Sequence, residues 1–305
     1  MRNTTHGRLR IDSAGHEIYY RTYGSGDIPL IALHGGPGLD HVSLQRLGEL
    51  GDADISVILY DQLDSGQSDR PLDESLWTVA RFVDELEAVR VGLGFDTMHL
   101  IGHSWGGMLG LEYALQHGER LRTLILSNTA ASVPEIIHGM TRLKLDLGPV
   151  AAARLITSEV VGNFDDPEYQ QLLVSLRARY LRRATPFDLE RSIAEYKEQV
   201  MPVLTYSPVF AHMWGRDGFV CTGTLREWDV TSDLKRIAAP TLIICGLHDE
   251  VTVDCHRTLA DNIPNNEFVI LGNSSHFPML EKEGDCYLGV VRDFIRRAER
   301  ATATA

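Results

Sequence analysis

Short, nearly continuous apolar runs recur along this chain, and each ends in loop-type sequence. They cover residues 29–33, 55–60, 98–101, 124–126, 241–245 and 267–271. Runs with no polar alternation predict strands buried on both faces, the signature of a mostly parallel sheet. The stretches between them carry helical spacing. Within 79–91, Phe82, Val83, Leu86 and Val89 share one face with charges opposite, and 107–114 has an apolar face of its own. Residues 7–23 alternate instead, which predicts a hairpin turning near Ser13-Ala14-Gly15. The pattern as a whole predicts an α/β fold, a mostly parallel sheet with helices on both faces.

The interval 133–232 breaks this rhythm. It holds no run that reads as a strand, and its apolar spacing predicts helices over 169–181 and 187–200. Prolines at 134, 149, 167, 186, 202 and 208 punctuate it. Because sheet strands lie on either side, we read it as a helical cap inserted into a core formed by residues 1–132 and 233–305. The Ala-Thr tail at 301–305 is expected to fray.

Bulk properties narrow the class without naming a chemistry. Hydrophobic content of 44% and charged content of 23% over 305 residues suit a globular protein. A net charge of −13 with no basic stripe argues against nucleic-acid binding. No apolar run is long enough to span a bilayer, and Met1 to Arg8 lead into no apolar signal region. The expected location is the cytoplasm, away from membranes. Cys221, Cys245, Cys255 and Cys286 form no CxxC and are expected to be free thiols. The twelve histidines contain no His-Glu-x-x-His, so no metal is expected.

The candidate chemistry centres on Gly102-His103-Ser104-Trp105-Gly106, placed between the apolar run at 98–101 and the helical pattern at 107–114. Strand, G-x-S-x-G and helix together are the sequence form of a nucleophile elbow, where small residues let the serine project from a sharp turn. A serine hydroxyl needs a base, and the base needs an orienting acid, which follow in the order Ser, Asp, His. Asp249 stands directly after the 241–245 run and is the candidate acid, ahead of Asp254 and Asp229. His276 stands in a polar loop just past 267–271 and is the candidate base. His248 and His103 lie too close in sequence to the other members and are read as supporting or packing groups. In His34-Gly35-Gly36-Pro37-Gly38 the glycines let backbone approach a substrate closely. The N–H of Gly36, with Gly35 as the alternative, and that of Trp105 are the expected oxyanion donors.

These residues resemble the α/β-hydrolase superfamily and, within it, the proline iminopeptidase group of serine peptidases. The resemblance runs nearly end to end through His34 to Gly38, Tyr60-Asp61-Gln62-Leu63-Asp64-Ser65-Gly66-Gln67-Ser68, Gly102 to Gly107, Gly246 to Thr252 and Ser275-His276. It implies an eight-stranded sheet, a cap between strands six and seven, no cofactor, and release of an N-terminal residue by a proline-type aminopeptidase or amino-acid amidase. An esterase or lactonase with the same triad is the alternative. The expected partner is a small-molecule or short-peptide substrate, and relatives that assemble leave a homo-oligomer open. Members of the group hold the substrate ammonium with glutamates, and Glu250 matches one of them. Where the second glutamate normally stands this chain has Gly218, preceded by Asp217, which is the candidate to bind the ammonium in its place. Asp64 also replaces a glycine of the family pattern and is expected to be a surface turn residue.

Overall fold

The computed structural model describes residues 4–200, 207–216 and 219–303. Eight strands form one sheet in the order β1-β2-β4-β3-β5-β6-β7-β8. They are β1 (Thr4–Arg10), β2 (Glu17–Tyr23), β3 (Ile28–Leu33), β4 (Ile55–Tyr60), β5 (Met98–His103), β6 (Leu121–Ser127), β7 (Thr241–Gly246) and β8 (Asn266–Leu271). β1 and β2 make the expected hairpin, and β2 pairs antiparallel with β4. Every pairing from β4 to β8 is parallel. Burial matches that arrangement: β4, β5 and β7 are buried along their whole lengths, as strands covered on two sides must be.

Helices α1 (Val79–Gly92) and α2 (Trp105–His117) cover one face, where Phe82, Leu86 and Leu109 pack with Leu100 and Leu124. The opposite face is covered by a tight helical turn at His41–Leu50 and by the last helix, whose Tyr287, Val291 and Ile295 pack against Ile101 and Ile125.

Among the described residues five α-helices lie between β6 and β7: α3 (Val133–Lys144), α4 (Pro149–Val161), α5 (Pro167–Tyr180), α6 (Leu189–Glu195) and α7 (Pro208–Met213). Two more follow β7, α8 (Val253–Asn262) and α9 (Gly284–Ala303). Pro134, Pro149, Pro167 and Pro208 sit in the first turns of α3, α4, α5 and α7. A first-turn proline loses no intrahelical hydrogen bond, so these residues start helices rather than interrupt them. Side chains of Ser132, Asp166, Asp188 and Ser207 cap α3, α5, α6 and α7. The Asp188 cap starts α6 two residues later than the expected 187, and a wider turn at Tyr196–Val200 follows it. Pro202 lies outside the described residues. The excursion closes at its base: Ser132 bridges Asp229, Val133 N–H donates to the Trp228 carbonyl at 2.9 Å, and Val230 N–H to Ala131 at 2.9 Å.

Asp64 corrects its expectation. It takes the left-handed φ of 63° that the family glycine would take, yet it is 1% exposed. Its carboxylate turns inward, accepting from Leu72 N–H at 2.9 Å and from the Trp77 indole at 2.8 Å. Asp64→Ala leaves both donors unmatched and puts alanine at positive φ, so we expect a loss of roughly 2–4 kcal/mol in stability. Denaturant unfolding measures it; a change below about 0.5 kcal/mol, the scale of an ordinary surface substitution, would make the inward carboxylate energetically idle.

Among the described residues no helix is long and apolar enough to cross a membrane, and no cluster of His, Cys, Asp or Glu is arranged to hold a metal ion.

Candidate active site

Four strand ends meet at one edge of the sheet, and each delivers a polar residue: Ser104 after β5, Asn128 after β6, Asp249 past β7 and His276 past β8. Ser104 stands between strand and helix with φ 55° and ψ −124°, a conformation closed to most side-chain-bearing residues. Its surroundings enforce the turn. A Cβ on Gly102 would sit 2.1 Å from the Gly106 carbonyl, one on Gly106 would sit 2.2 Å from the Leu33 carbonyl, and one on Gly107 would meet Thr129 at 2.5 Å. The three glycines thus let helix, strand and neighbouring strand close on each other. The Ser104 N–H is held by the Ser127 carbonyl at 3.0 Å, and its carbonyl accepts from Thr129 Oγ1 at 2.8 Å.

The expected acid and base come together. His276 Nδ1 lies 2.6 Å from Asp249 Oδ1, and both side chains are buried. Burial alone drags the His276 pKa down, but the carboxylate of Asp249 and then that of Glu250 outweigh it and hold it above the ordinary value. Burial pushes Asp249 the other way, and the His276 charge and hydrogen bond keep it below the usual carboxylate range. The pair therefore favours imidazolium beside carboxylate, the state that a general base reaches once it takes a proton.

Other nearby histidines are kept neutral. Burial pushes His103 down to about 3, with the charge of His276 adding to it, and its Nε2 donates to the His276 carbonyl at 2.7 Å. His256 is likewise lowered by burial; its Nε2 accepts from Thr129 N–H at 3.1 Å and its Nδ1 donates to the Thr252 carbonyl. Neither lies within hydrogen-bond distance of the Asp249 carboxylate, as His276 does. Of the weaker acid candidates, Asp254 pairs with Arg142 and Asp229 caps the turn at Thr231.

The glycine loop faces Ser104 from β3. A Cβ on Gly35 would lie 3.1 Å from that of Ser104, and Gly36 takes a φ of 115° that suits glycine alone. Trp105 opens α2, so its N–H has no intrahelical acceptor. A buried brace ties these parts: Trp105 Nε1 donates to Gln62 Oε1 at 2.9 Å, and Gln62 N–H donates to His34 Nε2 at 3.1 Å.

A cavity of about 460 Å³ opens above the serine, bounded by Gly36, Ser104, Trp105, Glu250 and His276 below. Ile136, Met140, Val174, Phe210 and Trp214 wall it from the cap. Glu250 Oε1 lies 3.9 Å from His276 Nε2, at the side of the ring that faces away from Asp249. Asp217 and Gly218 lie outside the described residues.

Several supporting residues have roles that the sequence does not announce. Gln62 lies in the stretch that resembles the family, but nothing there shows that it braces Trp105. Glu281 grips the histidine loop through Ser275 N–H at 2.7 Å and Ser275 Oγ. Tyr180, the last residue of α5, offers one carbonyl to two amides, Glu250 N–H at 3.2 Å and His276 N–H at 3.1 Å. The strand–loop junction that makes Ser104, Asp249 and His276 candidates is a signal that also marks Asn128.

The model of the alpha/beta hydrolase fold family matches residues 28–283. The proline iminopeptidase of Saccharolobus solfataricus is 37% identical over 297 residues, covering 96% of this chain and 93% of that protein. The proline iminopeptidase of Heyndrickxia coagulans is 33% identical, covering 93% of this chain and 97% of its own. In three dimensions, the crystal structure of proline iminopeptidase from Mycobacterium smegmatis superposes with a TM-score of 0.83 at 30% identity, covering 98% of this chain and all of that one.

Proposed function

Since the chain belongs to the α/β-hydrolase family, and within it to the proline iminopeptidases, we propose that it is a serine hydrolase releasing an N-terminal residue, proline above all, from a small amide or short peptide. Ser104 Oγ attacks the carbonyl carbon as His276 takes its proton. The N–H groups of Gly36 and Trp105 receive the charge developing on the carbonyl oxygen. His276 then returns the proton to the departing amine, leaving an acyl-enzyme on Ser104 that water opens by the same steps in reverse. Asp249 orients His276 throughout.

The position of Glu250 carries this reading. In an N-terminal residue the ammonium sits two bonds from the attacked carbonyl, so an anion that selects it must stand beside the catalytic base. Glu250 Oε1, 3.9 Å from His276 Nε2 within the same cavity, meets that requirement. Proline carries its charge on a ring secondary amine, and the apolar cap walls suit the ring. The cavity's size fits an aminoacyl amide or short peptide. Cys221, Cys245 and Cys255 are buried free thiols, which supports a reducing, cytoplasmic location.

The test compares prolyl and other aminoacyl nitroanilides with their N-acetylated forms and with simple aryl esters. Free-amine substrates are expected to win, prolyl first. Glu250→Gln should lower kcat/KM for them about 10- to 100-fold, the scale of one charge-assisted hydrogen bond, and change aryl esters only a few-fold. Wild-type preference for blocked or plain ester substrates would overturn the assignment.

A further inference from the structure

We propose that Asn128 is a positioning residue for Asp249 and His276, with its amide set in one orientation by a buried hydrogen-bond chain that starts at Tyr287. The proposal rests on the roles given above to Asp249 and His276. Asn128 Nδ2 donates to Asp249 Oδ2 at 2.7 Å and to the Ser275 carbonyl at 3.1 Å. One amide nitrogen thus ties the acid to the peptide that immediately precedes the base. Asp249 Oδ1 meanwhile receives His276 and Val251 N–H, so Asn128 holds the oxygen that would otherwise let the carboxylate turn.

The amide cannot choose its own direction, because its oxygen and nitrogen have the same shape. Its neighbours choose for it. Tyr287 Oη donates to Ser127 Oγ at 3.0 Å, and Ser127 Oγ donates to Asn128 Oδ1 at 3.0 Å. With Oδ1 taken by a donor, Nδ2 is left to face the carboxylate. Tyr287, Ser127 and Asn128 are each fully buried, so water does not substitute for any link. Tyr287 belongs to α9, so the far face of the sheet contributes to the site.

The backbone explains the residue type. Asn128 has a φ of 52°, a left-handed value that asparagine tolerates and most residues with an amide-sized side chain do not. Glycine would fit the backbone without the donor, and glutamine would carry the donor without the fit.

The charged and titratable groups around the pair are Glu250 and His103 beside His276, His256 3.9 Å from Asp249, Glu281 behind Ser275, and the Cys245 thiol at the end of β7. None of them donates to Asp249 Oδ2 at hydrogen-bond distance, so Asn128 has no understudy among the described residues.

Two variants test the role. Asn128→Gly keeps the left-handed backbone and removes the amide; Asn128→Asp keeps the shape and replaces the donor by a carboxyl. For prolyl nitroanilide we expect Asn128→Gly to lower kcat about 10- to 100-fold with KM within twofold, since no cavity wall changes. In Asn128→Asp the two carboxyls share one proton and stay near wild-type geometry. As pH rises that proton leaves, and kcat falls along a descending alkaline limb absent from the wild type. Tyr287→Phe should cost only a few-fold in kcat. The same variants are also assayed with diisopropyl fluorophosphate, where the Ser104 Oγ–P bond forms as P–F breaks and the serine proton passes to His276. That reaction needs the acid and base but no aminoacyl recognition. Phosphorylation slowed in the variants, in an enzyme inactive on every aminoacyl substrate, would uphold the positioning role while the substrate reading fails. A wild-type kcat, pH profile and phosphorylation rate in both Asn128 variants, whatever their melting temperatures, would overturn it.

Discussion

Ser104→Ala is expected to lower kcat for prolyl nitroanilide by about 10⁴- to 10⁶-fold, the range seen when a triad nucleophile is removed. The alanine has the same backbone demand at φ 55° and loses only the hydroxyl. KM should therefore stay close to its wild-type value, because Glu250 and the cavity walls are untouched. The glycine packing at 102, 106 and 107 also survives, so circular dichroism and melting temperature should barely move. Turnover within tenfold of wild type would remove Ser104 from the mechanism and leave a water-based hydrolysis to be explained.

Asp249→Asn is expected to cost roughly 10⁴-fold in kcat, since an amide in place of the acid favours the wrong imidazole tautomer. Its pH profile carries a second signature. In the wild type the Asp249 and Glu250 carboxylates raise the His276 pKa against the effect of burial, so activity falls off as pH drops through a value above the ordinary imidazole one. Removing the Asp249 charge leaves burial opposed only by the more weakly acting Glu250 and Glu281, and the acid limb of the remaining activity should move to lower pH. An unmoved acid limb would mean that Asp249 is not the group poising His276. Combining Asp249→Asn with Ser104→Ala should cost no more than Ser104→Ala alone, because the two residues serve one proton transfer.

The legible parts of this molecule were those that one stretch of chain decides. β4, β5 and β7 are buried on both faces, which forces uninterrupted apolar sequence, and their runs mark them out. Ser104, Asp249 and His276 each follow such a run closely, so a strand end plus a reactive side chain sufficed to pick them. What stayed hidden depends on which loops meet in space. Asn128 gains its partners from β7 and β8 loops more than a hundred residues away, and nothing within Ser127-Asn128-Thr129 announces them. Gln62 reaches Trp105 across the sheet in the same way. The Asp64 misreading has a related cause: turn chemistry accounts for its backbone, while Trp77, thirteen residues later, decides that its carboxylate faces inward. In the cap, four of the prolines that read as breaks, Pro134, Pro149, Pro167 and Pro208, are first-turn residues, because a proline's local preference is the same whether a helix has just ended or is about to begin.

The carbonyl of Tyr180 has an implication for what this enzyme leaves alone. It is the last residue of a cap helix, and it receives the amides that precede the side chains of both Glu250 and His276. A cap displaced far enough to admit a bulky chain end would withdraw that acceptor from two loops at once. Each loop would lose a hydrogen bond worth about 1 kcal/mol, more where the amide stays buried, and with it the support that aims its side chain. Opening thus works against competence. A folded protein, too large to pass beneath a seated cap, would meet a site weakened by the displacement needed to admit it.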